Sequence, residues 1–166
     1  MPLYQRFCPV LIALVCFTLL NGCQGLQTEV YRPELTAENG EPAYITIQHC
    51  LISFAGADDR VNATRSQEEA EQLANELLEK AKAGEDFGKI IRRNTDDSPP
   101  GIYRLANHGF ETDKSSVVMS KNIAARSDMV SAFGDVGFSL KVDEFGMANY
   151  DPNKSPFGWH IIKRIR

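Results

Sequence analysis

The chain has 166 residues, 43% hydrophobic and 24% charged, with a formal net charge of −4. That length allows one domain with a tail, and the composition excludes collagen, coiled coil and wholesale disorder. A mildly acidic chain without basic blocks is a poor match for nucleic acid, which is not among the expected partners.

The first element lies before the fold. Arg6 precedes an almost wholly apolar run at residues 7–20. The run is too short to span a bilayer, which takes about 20 apolar residues, and it has the proportions of a secretory signal. A buried core helix is the alternative, but an apolar run at the extreme N-terminus behind a lone Arg is where a signal belongs. Leu20-Asn21-Gly22-Cys23 looks like the lipobox of bacterial lipoproteins. The resemblance implies a lipoprotein signal peptide at residues 1–22 and lipidation of Cys23, with the membrane as a partner through its acyl chains. Gln24 stands where some lipoproteins carry the Asp that retains them in the inner membrane. The expected location is therefore the bacterial envelope, with the outer membrane facing the periplasm favoured over the inner. Cys8 and Cys16 would leave with the signal, and Cys50 alone cannot form an internal disulfide.

Residues 23–43 read as the lipidated N-terminus and a flexible tether, with Pro33, Gly40, Pro42 and no apolar periodicity. Residues 44–54 read as a buried strand that places Ile45, Ile47, His49 and Leu51 on one face. After a polar loop at 58–64, Ser66 and Glu69 form a capping box for a helix. Its apolar stripe is Ala70, Leu73, Ala74, Leu77, Leu78 and Ala81, and Gly84 ends it. A shorter helix at about 86–93 buries Phe87, Ile90 and Ile91. Pro99-Pro100-Gly101 then turns the chain into a short strand at 102–106. Residues 107–127 read as a loop in which Val117-Val118-Met119 form at most a short element. Asp128 is a candidate cap for a third helix, with Met129, Val130, Phe133 and Val136 inward. Strands at 145–150 and 157–165, joined by the turn Asp151-Pro152-Asn153, complete the chain. Strands flanking a helical middle give an α+β class, with helices packed on a small antiparallel sheet.

The last strand, Ser155-Pro156-Phe157-Gly158-Trp159-His160-Ile161-Ile162-Lys163, resembles the terminal strand of the parvulin peptidyl-prolyl isomerases. Met129-Val130-Ser131-Ala132-Phe133 resembles their Met-Val-x-Ala-Phe helix. Gln48-His49-Cys50-Leu51-Ile52 and Ala83-Gly84-Glu85-Asp86-Phe87 add weaker likeness in the same order. The resemblance covers residues 44–166 as a parvulin-like domain and implies the FKBP-like fold of that family. It implies a peptidyl-prolyl cis-trans isomerase acting on proline-containing unfolded or exported polypeptides, without cofactor or metal. One segment departs from the family: Pro100-Gly101-Ile102-Tyr103-Arg104-Leu105 stands where most parvulins have Gly-Gly-Asp-Leu-Gly. Tyr103 or Leu105 would then have to supply that wall of the groove.

By the same resemblance Met129 and Phe133 grip the proline ring, although their i, i+4 spacing also suits plain core residues. Phe157 closes one end of the groove or packs in the core. His49 and His160 match the paired histidines on neighbouring strands, whose role is a hydrogen-bonded network more than proton transfer. Asp97 matches a Cys or Asp facing the substrate carbonyl, or forms a turn. Ser155 matches a residue that hydrogen-bonds the histidines, or is likewise a turn residue. Cys50 points to the face opposite His49 and reads as core. The loop at 56–64 sets Asp58 and Asp59 against Arg60, without the clustered cations of a phosphate clamp. Three readings stay open: an active isomerase, a catalytically weak or inactive chaperone or peptide-binding module on the same fold, and a structural envelope lipoprotein.

Overall fold

The computed structural model describes residues 35–166. The expected signal peptide, Cys23 and the first part of the tether lie outside the described residues. Strand β1 (Tyr44–Ile52) lies at the centre of a five-stranded sheet, with β2 (Ile102–Ala106) on one side and β5 (Trp159–Arg164) on the other. Strand β4 (Phe145–Ala148) forms one edge beside β5, and β3 (Ile123–Ala125) forms the other beside β2. Four of the strands pair antiparallel, as expected, whereas β3 runs parallel to β2. This third strand falls inside the segment read from sequence as a loop. At three residues it is too short to show the alternation by which strands are recognised.

The sheet is covered on both faces, which explains why its central strands are buried on both sides. Helix α1 (Gln67–Lys82) and helix α2 (Phe87–Asn94) cover one face, packing Leu77, Ile90 and Ile91 on Cys50, Ile52, Trp159 and Ile161. Helix α3 (Ser131–Ser139) covers part of the other, where Phe133 and Phe138 meet Ile45, Ile47, Leu105 and Ile162. Period-two alternation thus divides β1 between two cores: Ile45, Ile47, His49 and Leu51 look one way, and Cys50 and Ile52 the other.

The helix ends follow from local chemistry. Ser66 accepts from the Glu69 amide at 3.2 Å while the Glu69 carboxylate accepts from the Ser66 amide at 2.7 Å, closing the capping box. At the other end of α1, the Gly84 and Glu85 amides take up the Ala81 and Lys80 carbonyls. Asp86 caps α2 through the Lys89 amide at 3.0 Å. The start of α3 differs from expectation. Val130 is its N-cap, without a side-chain cap bond, and Asp128 instead closes a single 3-10 turn and pairs with Lys114 at 2.9 Å. Met129 and Val130 therefore precede the helix, and only from Phe133 onward does the inward stripe lie on it.

The last part of the expected tether is held against the domain. Leu35 and Ala43 are joined through a backbone bond of 2.8 Å, Thr36 pairs with Pro42, and the Asn107 amide reaches the Ala43 carbonyl at 2.8 Å. No helix among the described residues is long and apolar enough to cross a membrane.

The entry to β5 depends on Gly158, which has φ +131; a Cβ there would lie 2.3 Å from the Ile52 carbonyl oxygen. No L side chain fits that approach, and the strain falls on the strand that carries His160. Gly158→Ala is expected to destabilise the fold by about 2 kcal/mol or more, read as a lowered urea midpoint at unchanged m-value. An unchanged midpoint would contradict the pairing of β1 and β5 described above.

Candidate functional site

The register of β1 on β5 sets Leu51 opposite His160 and His49 opposite Ile162, so both histidines point to the face that α3 only partly covers. Beyond the end of α3 this face opens into a cleft of about 710 Å³. Phe133 reaches in from α3, Met129 and Val130 from the turn before it, Phe157 from the approach to β5, and Tyr103 from β2. His49 is 3% exposed and His160 5%. The Phe133 ring stands edge-on to both imidazoles, at 5.1 Å from His49 and 5.2 Å from His160, while Tyr103 stands edge-on to His49 at 5.2 Å.

Asp97 reaches the site because its loop is stitched to the end of β1. The Leu51 amide donates to Thr95 Oγ1 at 3.2 Å, and the Asp96 amide donates to the Leu51 carbonyl at 2.9 Å. The Ser53 amide donates to Asp96 Oδ2 at 2.8 Å, and Arg65 pairs with the same carboxylate. With its neighbour anchored in this way, Asp97 places Oδ2 3.1 Å from His49 Nε2 and 3.3 Å from the Tyr103 hydroxyl. The hydrogen bond with His49 is the chief cause that holds the Asp97 carboxyl down at about 2, against an opposing push from partial burial. Burial, and then the Asp97 charge, push the Tyr103 phenol up to about 12.

These contacts order the protons. Ionised Asp97 can only accept, so His49 donates to it from Nε2. His49 Nδ1 and His160 Nδ1 lie 3.4 Å apart, a contact whose donor is set by the tautomers of the two rings. His160 Nε2 is buried and has no hydrogen-bond partner among the described residues. Burial, and then the neighbouring His49, lower the His160 pKa to about 3. The His160 ring is neutral at physiological pH, and the network runs from Tyr103 and His49 to Asp97, with His160 in contact with His49.

Two of the residues expected at the site lie elsewhere. Ser155 is fully buried, but its hydroxyl donates to the Gly158 carbonyl at 2.9 Å and fixes the bend into β5; the structure gives it no bond to either histidine. Leu105 is fully buried with Ile45, Phe133 and Phe138, behind the cleft and not on its wall. Tyr103, two residues earlier on the same face, provides that wall. Cys50 lies on the opposite face under α1 and α2, where burial pushes its thiol up to about 12. Such a thiol is inert as a nucleophile.

The sequence did not single out the rim. Arg60 is clamped by Asp58, with contacts of 2.6 to 3.2 Å, and lies over the Phe157 ring at 4.9 Å. Asp128 and Val61 also border the cleft. The Asp58–Arg60 pair was visible as mixed charge in a loop, but nothing local showed that the loop folds onto Phe157. The described residues contain no group of three or more His, Cys, Asp or Glu side chains placed to hold a metal ion.

A family model described as the PPIC-type PPIase domain matches residues 33–165. The chain is 27% identical over 117 residues to the chaperone SurA of Methylobacillus flagellatus, an alignment covering 70% of this chain and 21% of that one. It thus spans about a fifth of that relative's length. The solution structure of TbPIN1 superposes with a TM-score of 0.54 at 18% identity, over 75% of this chain and 98% of that one, a likeness of fold.

The buried neutral histidine has a consequence for stability. The unfolded chain takes up a proton on His160 near the ordinary histidine pKa of about 6.5, whereas the folded chain resists protonation down to about 3. Between those values the unfolded state binds more protons, so stability is full above about pH 6.5 and falls as the pH drops towards 3. Asp97 adds a loss of the same sign at lower pH, from the ordinary carboxylate value down to about 2. Urea midpoints measured from pH 7 to pH 4 should fall steadily for the wild type and more shallowly for His160→Asn. Parallel curves would show that His160 is not buried neutral.

Proposed function

The chain belongs to the PPIC-type peptidyl-prolyl isomerase family, and from that premise we propose that its cleft catalyses cis-trans rotation about Xaa-Pro bonds in exported polypeptides. Rotation meets a barrier of about 20 kcal/mol, set by amide resonance, and takes tens of seconds without help. The catalyst need break no bond; it has to favour the twisted amide over both planar forms. The observation that carries the reading is the meeting of an apolar wall with a charged, hydrogen-bonded network in a single cleft. Met129, Phe133 and Phe157 offer the proline ring an apolar seat, while Asp97, His49, Tyr103 and His160 form the polar floor.

Seating the ring there strips water from the substrate carbonyl, whose hydrogen bonds stabilise the planar form. In the planar amide the carbonyl oxygen carries the larger negative charge, and twisting returns that density to nitrogen. A carboxylate fixed near the oxygen raises the planar form more than the twisted one, the differential that catalysis requires. Asp97 has that role in this proposal. The histidines keep the carboxylate ionised and aimed and do not themselves shuttle protons. Covalent catalysis is disfavoured because Cys50, the thiol nearest in sequence to His49, is buried on the other face.

A second reading is a chaperone module that holds proline-containing segments with little turnover. A relative named as a chaperone favours it, as does Tyr103 standing in the segment where parvulins carry Gly-Gly-Asp-Leu-Gly. The lipid anchor at Cys23 and an outer-membrane location facing the periplasm complete the proposal. They rest on the residues around the expected cleavage point, and Cys23→Ser should release the protein from the membrane fraction. A wild-type protein that is fully soluble with an unmodified Cys23 would remove this part.

The isomerase reading is tested with a protease-coupled assay on an Ala-Pro peptide. Truncating buried Phe133 lowers stability by about 3–5 kcal/mol, but Phe133→Ala should lose activity well beyond its loss of folded fraction. His160→Asn should keep substantial activity, because removal of a true general base costs about 10²–10⁴-fold. Parallel loss of fold and activity in Phe133→Ala, or near-complete inactivation of a folded His160→Asn, would count against the mechanism.

A further inference from the structure

Arg126 is heavily engaged outside the network, and the proposed mechanism does not use it. Its side chain is 12% exposed, and its guanidinium joins three separate parts of the chain. Nη1 donates to Glu41 Oε2 at 2.6 Å and to Asn107 Oδ1 at 3.1 Å, and Nη2 donates to Asp135 Oδ1 at 2.7 Å. The cation lies over the Phe138 ring at 4.7 Å. Glu41 belongs to the N-terminal strap at residues 35–43, Asn107 follows β2, and Asp135 and Phe138 are on α3. Gly134 makes room for the crossing: a Cβ there would stand 3.0 Å from Arg126 Cγ. Asn107 closes the group by donating to Glu41 Oε2 and to the Pro42 carbonyl, each at 3.1 Å.

The backbone of the same residue forms the turn that leads into the groove, since the Arg126 carbonyl accepts from the Met129 amide at 3.1 Å. We propose that Arg126 is a positioning residue: it sets the Met129–Val130 wall of the groove by tying this turn to α3 on one side and to the N-terminal strap on the other. The strap then acts as part of the substrate site, although Glu41 and Arg126 are 85 residues apart. A largely buried guanidinium left short of a carboxylate partner is costly, so losing either end of the brace loosens the turn. This inference rests on the groove reading given under the proposed function, with Met129 as a wall of the peptide site.

A loosened wall has a kinetic signature. If only a fraction of molecules holds the groove in its binding form, apparent affinity falls by that fraction while turnover at saturation is preserved. The KM of full-chain Arg126→Met for an Ala-Pro peptide is expected to rise about fivefold, with kcat per folded molecule within about twofold of wild type. Glu41→Gln changes one atom in the strap and should raise KM by about twofold. Arg126→Lys, which keeps the charge but reaches fewer partners, should fall between the wild type and Arg126→Met. A merely structural role gives the opposite split, with KM unchanged and kcat lowered only through the folded fraction, and that result would overturn the inference. Should Arg126→Met fail to fold, Glu41→Gln decides: an unchanged KM overturns the proposal. If the wild type turns over no Xaa-Pro peptide, the isomerase reading fails, and the peptide's Kd from NMR titration of the same variants still decides this one.

Discussion

The antiparallel pairing of β1 with β5 is the constraint on which the rest depends. Placing Leu51 opposite His160 fixes which residues of both strands face α3 and which face α1 and α2. Slipping the register by one residue would turn His160 into the core beneath α1 and bring Trp159 to the cleft, because side chains alternate with period two. The histidine pair, the apolar seat and the isolation of Cys50 are therefore a single geometric fact. Gly158 and the Ser155 hydroxyl keep it in register at the entry to β5, which gives Ser155 a part in the site even though it touches neither imidazole.

Electrostatics then follow from burial. Beneath Phe133 the histidines have little access to water, and burial keeps His160 neutral. Asp97, at the edge of the cleft, keeps its charge because His49, Tyr103 and a backbone amide all donate to it. Asp97 is thus an ionised carboxylate at the edge of the cleft, with a neutral His160 behind it. In the proposed mechanism such a site acts by its fixed field and does not need to move protons. The rim is balanced as well, since Arg60 is neutralised by Asp58 and Asp128 by Lys114.

Much of this was legible in the sequence where the signal is local. The capping box at Ser66 and Glu69, the stripe of α1 and the alternation of β1 are short-range patterns, and the structure realises them. The placement of His49, His160, Met129, Phe133 and Phe157 around one cleft followed from a likeness to a family, since spacing alone favoured plain core packing for Met129 and Phe133. What escaped was determined over long distances. Strand β3 exists because β2 offers it an edge, the strap at 35–43 because Asn107 and Arg126 hold it, and Asp97 faces His49 because Thr95 and Asp96 are bonded to β1. Leu105 and Tyr103 share a face, and only the extent of α3 decides that the first is core and the second wall.

The central claim is that this cleft speeds rotation of a bound Xaa-Pro bond through fixed electrostatics and an apolar seat. Two-dimensional exchange NMR on an Ala-Pro peptide, with a catalytic quantity of the full chain, tests it without a coupling enzyme. Uncatalysed exchange takes tens of seconds and gives no cross-peaks within a mixing time of about half a second. Cis-trans cross-peaks are expected at that mixing time with the wild type, and a marked loss of their intensity with a folded Asp97→Asn variant. Peptide that binds in the cleft and shifts its resonances, yet shows no exchange, would contradict catalysis and leave the chaperone reading in its place.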